Sequence, residues 1–203
     1  EQGVVAPFLQ LATTDSLVVV WETDTGEESR VRYGVGADLN TEVLGSSAVS
    51  ADGTRLHRVT LPGLSPGALL SYQAFTGSYS STVAPLRVPS GPDTGVRLVG
   101  ISDMQQDSSY PYVFADLVSD GIIPFLETET GLPIERALHA VLIAGDLVQD
   151  GFDYDSWADT YFAPAAPLYS RVPSYPVPGN HERDTGFYYD YFVLPDNGTA
   201  GYE

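Results

Sequence analysis

Three polar motifs in the second half of this chain each follow directly on an apolar run, and this arrangement restricts the fold more than any other feature. The motifs are Ser102-Asp103-Met104-Gln105, Gly145-Asp146-Leu147-Val148 and Gly179-Asn180-His181-Glu182. The runs before the first two, residues 96–101 and 140–144, have the length of strands and lack polar alternation, which predicts buried parallel strands. A shorter run, 175–177, precedes the third motif. Segments 112–127, 154–162 and 188–192 read as helical, the first divided by Gly121 and Pro124. Alternating strands and helices imply a parallel sheet, and open sheets of this kind hold ligands at the carboxyl ends of their strands.

The first half has a different period. Segments 8–12, 17–23, 30–33, 55–61, 70–75 and 82–88 alternate apolar and polar residues or are rich in β-branched and aromatic ones. Turn clusters such as Asp24-Thr25-Gly26, Ala51-Asp52-Gly53 and Pro62-Gly63-Leu64-Ser65-Pro66-Gly67 separate them, as in a small antiparallel sandwich. Pro89-Ser90-Gly91-Pro92-Asp93-Thr94-Gly95 reads as a short stiff linker. The expected organisation is a β sandwich over 1–90 followed by an α/β domain over 96–203.

Charge narrows the function. The net charge is −18, and the nine basic residues are all arginine. Such a surface repels nucleic acid and anionic membranes, because binding phosphate polymers takes clustered Lys and Arg. A phosphate-handling enzyme this acidic would need metal ions to offset the repulsion. With no cysteine, disulfides and thiolate metal sites are excluded. No apolar stretch approaches the roughly 20 residues of a membrane helix. Glu1-Gln2-Gly3 lacks the features of a leader, which suits a processed secreted form or a cytoplasmic one.

The motifs supply hard oxygen donors and one imidazole, the donor types of a hydrolytic divalent-cation site. Asp103 and Asp146 are the carboxylates, Asn180 a neutral oxygen donor and His181 the imidazole, while Gly145 and Gly179 would let backbone approach the ions. Singly, each has a plainer reading: an Asp after a strand often caps a helix, and Asn180-His181 alone could be a turn. Three strand-end motifs within about 80 residues weaken that reading. His57 and His139 lie far from the motifs in sequence pattern and are expected to be structural or on the surface. Asp107, Asp150, Asp153 and Asp155 are expected to cap helices and face solvent rather than line the cleft, and Arg183 to form a surface ion pair rather than reach a phosphate. Tyr110, Tyr154, Trp157, Tyr188, Tyr189 and Tyr191 are expected in the core.

The motif order resembles the calcineurin-like metallophosphoesterases, whose pattern is Asp-x-His, then Gly-Asp, then Gly-Asn-His-(Asp/Glu). Leu61-Pro62-Gly63-Leu64-Ser65-Pro66-Gly67 with Tyr72-Gln73-Ala74 resembles a fibronectin type III domain, and that pairing is similar to purple acid phosphatases. Pro7-Phe8-Leu9-Gln10-Leu11, Ser29-Arg30-Val31-Arg32-Tyr33-Gly34 and the closing stretch Tyr191-Phe192-Val193-Leu194-Pro195-Asp196-Asn197-Gly198 add to it. The resemblance implies hydrolysis of a small phosphate ester by a hydroxide bridging two divalent or trivalent metal ions. Asp103 would hold the first, Asp146 would bridge both and Asn180 would bind the second. His181 would act at the leaving group without ligating metal. Iron, zinc, manganese and calcium all suit these donors, and a secreted or periplasmic location follows the family's habit. Two positions depart from the pattern. Gln105 replaces a histidine and either ligates, directly or through water, or does not; Gln149 stands where purple enzymes carry an iron-binding tyrosine. The family's later histidines are also missing, so the chain reads as the N-terminal part of a longer enzyme, its partner the missing C-terminal part, and inactive alone. The rival reading is a non-catalytic binding module or pseudoenzyme. Asn197-Gly198-Thr199 matches a glycosylation sequon.

Overall fold

The computed structural model describes residues 1–193; the sequon and most of the closing stretch lie outside the described residues. Nine strands form two antiparallel sheets. The first has the order β1-β2-β6-β5, from β1 (Gly3–Gln10), β2 (Leu17–Thr23), β5 (Ser46–Val49) and β6 (Arg55–Leu61). The second joins β3 (Arg30–Gly34), β4 (Thr41–Leu44), β7 (Leu69–Thr76) and β8 (Tyr79–Ser80) in the order β4-β3-β7-β8, with β9 (Ala84–Arg87) also paired to β7. After this the chain changes to a parallel three-stranded sheet of β10 (Leu98–Ile101), β11 (Ala140–Ala144) and β12 (Ser174–Val177) in sequential order.

All seven residues of β2 are buried, and alternation explains how. Leu17, Val19 and Trp21 point into the core between the two antiparallel sheets. Val18 and Val20 point the other way, into a second core shared with the helices and the parallel sheet. Val5 and Phe8 of β1 and Leu56 of β6 join that second core. The first sheet is therefore the middle layer of the molecule, and the sandwich is not a separate bead on a linker. Phe8 lies 4.7 Å from Phe162 and 6.5 Å from Phe192 between ring centroids. Polar contacts follow the same seam: Tyr72 Oη donates to Ser170 O (2.8 Å), and Tyr191 Oη donates to the buried Glu22 carboxylate (2.8 Å).

The helical layer departs from the sequence expectation in its second run. Residues 113–130 divide into α1 (Val113–Asp116), a wider π turn (Leu117–Ile122) that contains Gly121, and α2 (Ile123–Thr130), which carries Pro124 in its first turn. The second run does not stop near residue 162: a π segment (Ser156–Phe162) leads into α4 (Ala163–Tyr169) despite Pro164 and Pro167. Burial of Ala165, Leu168 and Tyr169 outweighs the local breakers. A short α3 (Ile134–Ala137) precedes β11, and α5 (Gly186–Tyr191) follows the third motif.

The parallel strands are not buried on both faces, contrary to the expectation from their composition. Val141 and Ile143 are buried under the helices, whereas Leu98, Leu142 and Val177 on the opposite face are 48%, 44% and 54% exposed. That open face carries a recess of about 670 Å³, lined in part by Ile101, Leu142, Tyr175 and Val193. The six aromatic residues also divide: Trp157, Tyr188 and Tyr191 are core, Tyr154 is half-buried, and Tyr110 and Tyr189 are exposed, Tyr189 on the outward side of α5.

Candidate metal centre

The three motifs leave the sheet on adjacent strands at the same end, because β10, β11 and β12 are parallel and neighbouring. Hydrogen bonds then lace the motifs together. The Asp103 and Met104 N–H groups donate to the carbonyls of Gly145 (3.3 Å) and Asp146 (2.9 Å). The His181 N–H donates to Asp146 Oδ1 (3.2 Å), and the Gly151 N–H to His181 O (2.9 Å). Asp103 and Asp146 both adopt left-handed backbone, with φ of 57° and 53°. That conformation disfavours residues with a Cβ, and Asp and Asn are among the few that adopt it routinely. Neither aspartate caps a helix. Asp103 Oδ2 accepts from Ser102 Oγ at 2.6 Å and Asp103 is exposed, as is Asn180.

Gly145 and Gly179 lie where the second and third loops meet. A Cβ on Gly145 would lie 2.8 Å from Gly179 Cα, and one on Gly179 would lie 2.1 Å from Asp146 Oδ1. The two glycines let these loops touch each other. This contact aims the Asp146 carboxylate across the third motif.

The His181 ring is oriented by its backbone neighbour. Its Nδ1 lies 2.8 Å from Gln149 O, and a carbonyl only accepts, so Nδ1 carries a proton. Nε2 has no partner among the described residues and is the nitrogen left for chemistry. Gln149, singled out in the sequence for its side chain, contributes through its main chain.

The donor set suits a hard cation. The Gln105 Oε1 atom is buried without a hydrogen-bond partner, an orphaned acceptor beside Met104, whose N–H is bonded to the second motif. A cation would satisfy it. Two carboxylates and two amide oxygens are the donors the three motifs provide. Among the described residues, no three or more His, Cys, Asp or Glu side chains form a group able to hold a metal ion on their own.

The remaining candidates sort cleanly. Asp107 Oδ1 accepts from the Ser109 N–H, Asp150 Oδ1 from the Phe152 N–H and Asp153 Oδ2 from Ser156 Oγ, all local turn bonds. Arg183 pairs with Asp150 at 3.6 Å. His57 is fully buried in the sandwich, 2.8 Å from both Thr23 Oγ1 and Ser29 Oγ and stacked on Trp21; burial pushes its pKa down to about 4. His139 precedes β11 at the opposite end of the sheet, where its Nδ1 accepts from the Arg97 N–H and burial, then Arg87, lower its pKa. Glu182 was passed over in sequence as the end of a motif. It is fully buried, and its carboxylate accepts from four backbone N–H groups, those of Asp146, Leu147, Val148 and Gly179.

A parallel sheet with oxygen-rich loops gathered at one end defines an α/β protein with a candidate cation centre. The family model for calcineurin-like phosphoesterases matches residues 96–202, more than half of the sequence, and the chain belongs to that family. No curated protein matches it in sequence. Among solved structures, that of PhoD aligns with a TM-score of 0.59 at 12% identity, over 87% of this chain and 38% of its own. That likeness is one of fold, and the chain spans well under half of the PhoD structure. The sensor domain of the anti-sigma factor RsgI4 from Pseudobacteroides cellulosolvens aligns at TM-score 0.36 and 14% identity, over 48% of this chain and 100% of that one. The fn3 domain of the human collagen alpha-1(XX) chain aligns at 0.32 and 24%, over 46% and 91%. These two are too distant to bear on function.

Proposed function

We propose that this chain provides part of the centre of a metal-dependent phosphoesterase, with Asp103, Gln105, Asp146 and Asn180 as metal ligands and His181 as the group acting on the leaving oxygen. The observation that supports this reading is the lacing of three strand-end loops by hydrogen bonds at one end of the parallel sheet, together with a buried Gln105 oxygen that has no hydrogen-bond partner. Two ions, when bound, would supply Lewis acidity at the phosphoryl oxygens and an activated water. Asp103, Gln105, Asp146 and Asn180 are the residues that would hold them, with Asp146 the one bonded to both other motifs. With Nδ1 held by Gln149 O, His181 in its cationic form donates from Nε2 to the departing oxygen. The substrate is a small phosphate ester. Two carboxylates and two amides make a sparse set for two ions, so further ligands belong to a C-terminal part of the same protein, and this chain alone binds metal weakly and turns over little. The narrower likeness to purple acid phosphatases rests on sequence motifs alone. A secreted or periplasmic setting belongs to the same proposal; no helix among the described residues is long and apolar enough to cross a membrane.

The test is a Mn²⁺ titration of the 203-residue chain, with and without inorganic phosphate. Phosphate that bridges the metals must tighten Mn²⁺ binding by the same factor as Mn²⁺ tightens phosphate. We expect that tightening in the wild type and its loss in Asp146→Asn. Mn²⁺ binding indifferent to both phosphate and the substitution would refute the proposal.

A further inference from the structure

We propose that Glu182 is the positioning residue of this centre: its buried carboxylate ties the Asp146 turn to the third motif and so fixes the Asp146 side chain in its metal-competent arrangement. The inference rests on the metal reading of Asp146, but the tie itself is independent of metal. Glu182 is 0% exposed. Its Oε1 accepts from the N–H groups of Leu147 (2.7 Å) and Val148 (3.2 Å), and its Oε2 from those of Asp146 (3.0 Å) and Gly179 (2.5 Å). Each oxygen thus holds two donors, and together they clamp three consecutive amides of one loop to the start of another. Among the described residues no basic side chain pairs with it. A buried carboxylate without a counter-ion is costly, and here backbone dipoles alone offset that cost.

What the clamp secures is local and specific. Asp146 sits in left-handed backbone, φ 53°, which an L residue leaves readily unless its neighbours hold it. Three contacts hold it: its own N–H on Glu182, its Oδ1 under the His181 N–H and its carbonyl under the Met104 N–H. The turn also packs so closely on Gly179 that a single added Cβ would meet Asp146 Oδ1 at 2.1 Å. Release of Glu182 frees the amide side of this arrangement and lets the carboxylate leave its bond with the His181 N–H. Glutamine cannot substitute for it. One carboxylate oxygen becomes an NH₂ donor, and that donor would face two N–H donors.

The experiment compares wild type, Glu182→Gln, Glu182→Asp and, as a control for a buried carboxylate elsewhere, Glu22→Gln. Amide hydrogen exchange by NMR, without metal, reads the clamp; Mn²⁺ titration reads its consequence. We expect Glu182→Gln to lose protection at the amides of Asp146, Leu147, Val148 and Gly179 and to bind Mn²⁺ roughly tenfold or more weakly, the range for losing a residue that orients a ligand. Glu182→Asp keeps the charge and recovers part of both; if the Gln variant does not fold, the Asp variant carries the test, with partial loss of both readouts expected. Glu22→Gln lowers stability and leaves Mn²⁺ affinity unchanged. Unchanged protection at those four amides, or Mn²⁺ affinity within about twofold of wild type in a folded Glu182→Gln protein, would overturn the proposal. If the wild type binds no Mn²⁺, it is the metal reading that fails, and amide protection still decides whether Glu182 ties the loops.

Discussion

At the scale of single residues, the same side-chain type does opposite work in different places. His181 keeps one nitrogen available because a carbonyl holds the other, whereas His57 has both nitrogens occupied by hydroxyls in a buried pocket. The consequence for His57 is a pH dependence with a definite sign. Its folded pKa of about 4 lies below the ordinary 6.5, so between those values the unfolded chain takes up the proton first. The stability it confers is complete above pH 6.5 and is lost as pH falls toward 4, a difference of about 3 kcal/mol by linkage. Denaturant midpoints measured from pH 7 to 4.5 are expected to fall less steeply in His57→Gln than in wild type; parallel slopes would contradict this role. The candidate ligands were legible in the sequence because strand-end position and residue chemistry are both local. The role of Glu182 was not, since it depends on which amides the third loop meets after folding. The signal the sequence does offer is the pair Gly145 and Gly179, where the two loops pack too closely for a Cβ.

At the scale of elements, strands whose alternation serves a core were readable: 17–23 and 55–61 coincide with β2 and β6. β4 and β5 escaped notice because they are edge strands, mostly exposed, with little apolar pattern to betray them. α4 was hidden by Pro164 and Pro167, local signals that tertiary burial overrides. The parallel runs gave their positions but not their exposure, since an apolar composition does not say whether a covering layer is present on one face or two. Phe8 is the element-scale keystone of the seam between the middle sheet and the helices, 1% exposed and in contact with Phe162 and Phe192. Phe8→Ala should cost about 3–5 kcal/mol, as large-to-small core substitutions do. Because β1 bridges two cores, that loss should appear as earlier unfolding of the helical layer as well as the sandwich, by near- and far-ultraviolet circular dichroism. A loss under about 1 kcal/mol would mean the seam is not a packed core.

At the scale of the whole molecule, the antiparallel half is tied to the segment that follows the third motif. Tyr191 follows the third motif on α5 and donates to Glu22 of β2, a carboxyl that burial pushes above its usual range while bonds from Thr54 and Tyr191 pull it back. The Val193 N–H donates to Gln10 Oε1 at 2.6 Å, so the chain beyond the motif is also anchored to β1. A surface of charge −18 adds one complication, because divalent cations will gather loosely at many carboxylates. Location, rather than the mere fact of binding, therefore tests the central claim. The measurement is paramagnetic broadening of amide resonances by substoichiometric Mn²⁺ in the full chain. Broadening should centre on Asp103, Gln105, Asp146, Asn180 and His181, spare β3 and β4, and vanish in Asp146→Asn. Broadening centred instead on the exposed acids of the sandwich, such as Glu27 and Glu42, and unchanged in that variant, would contradict a metal centre at the three strand ends.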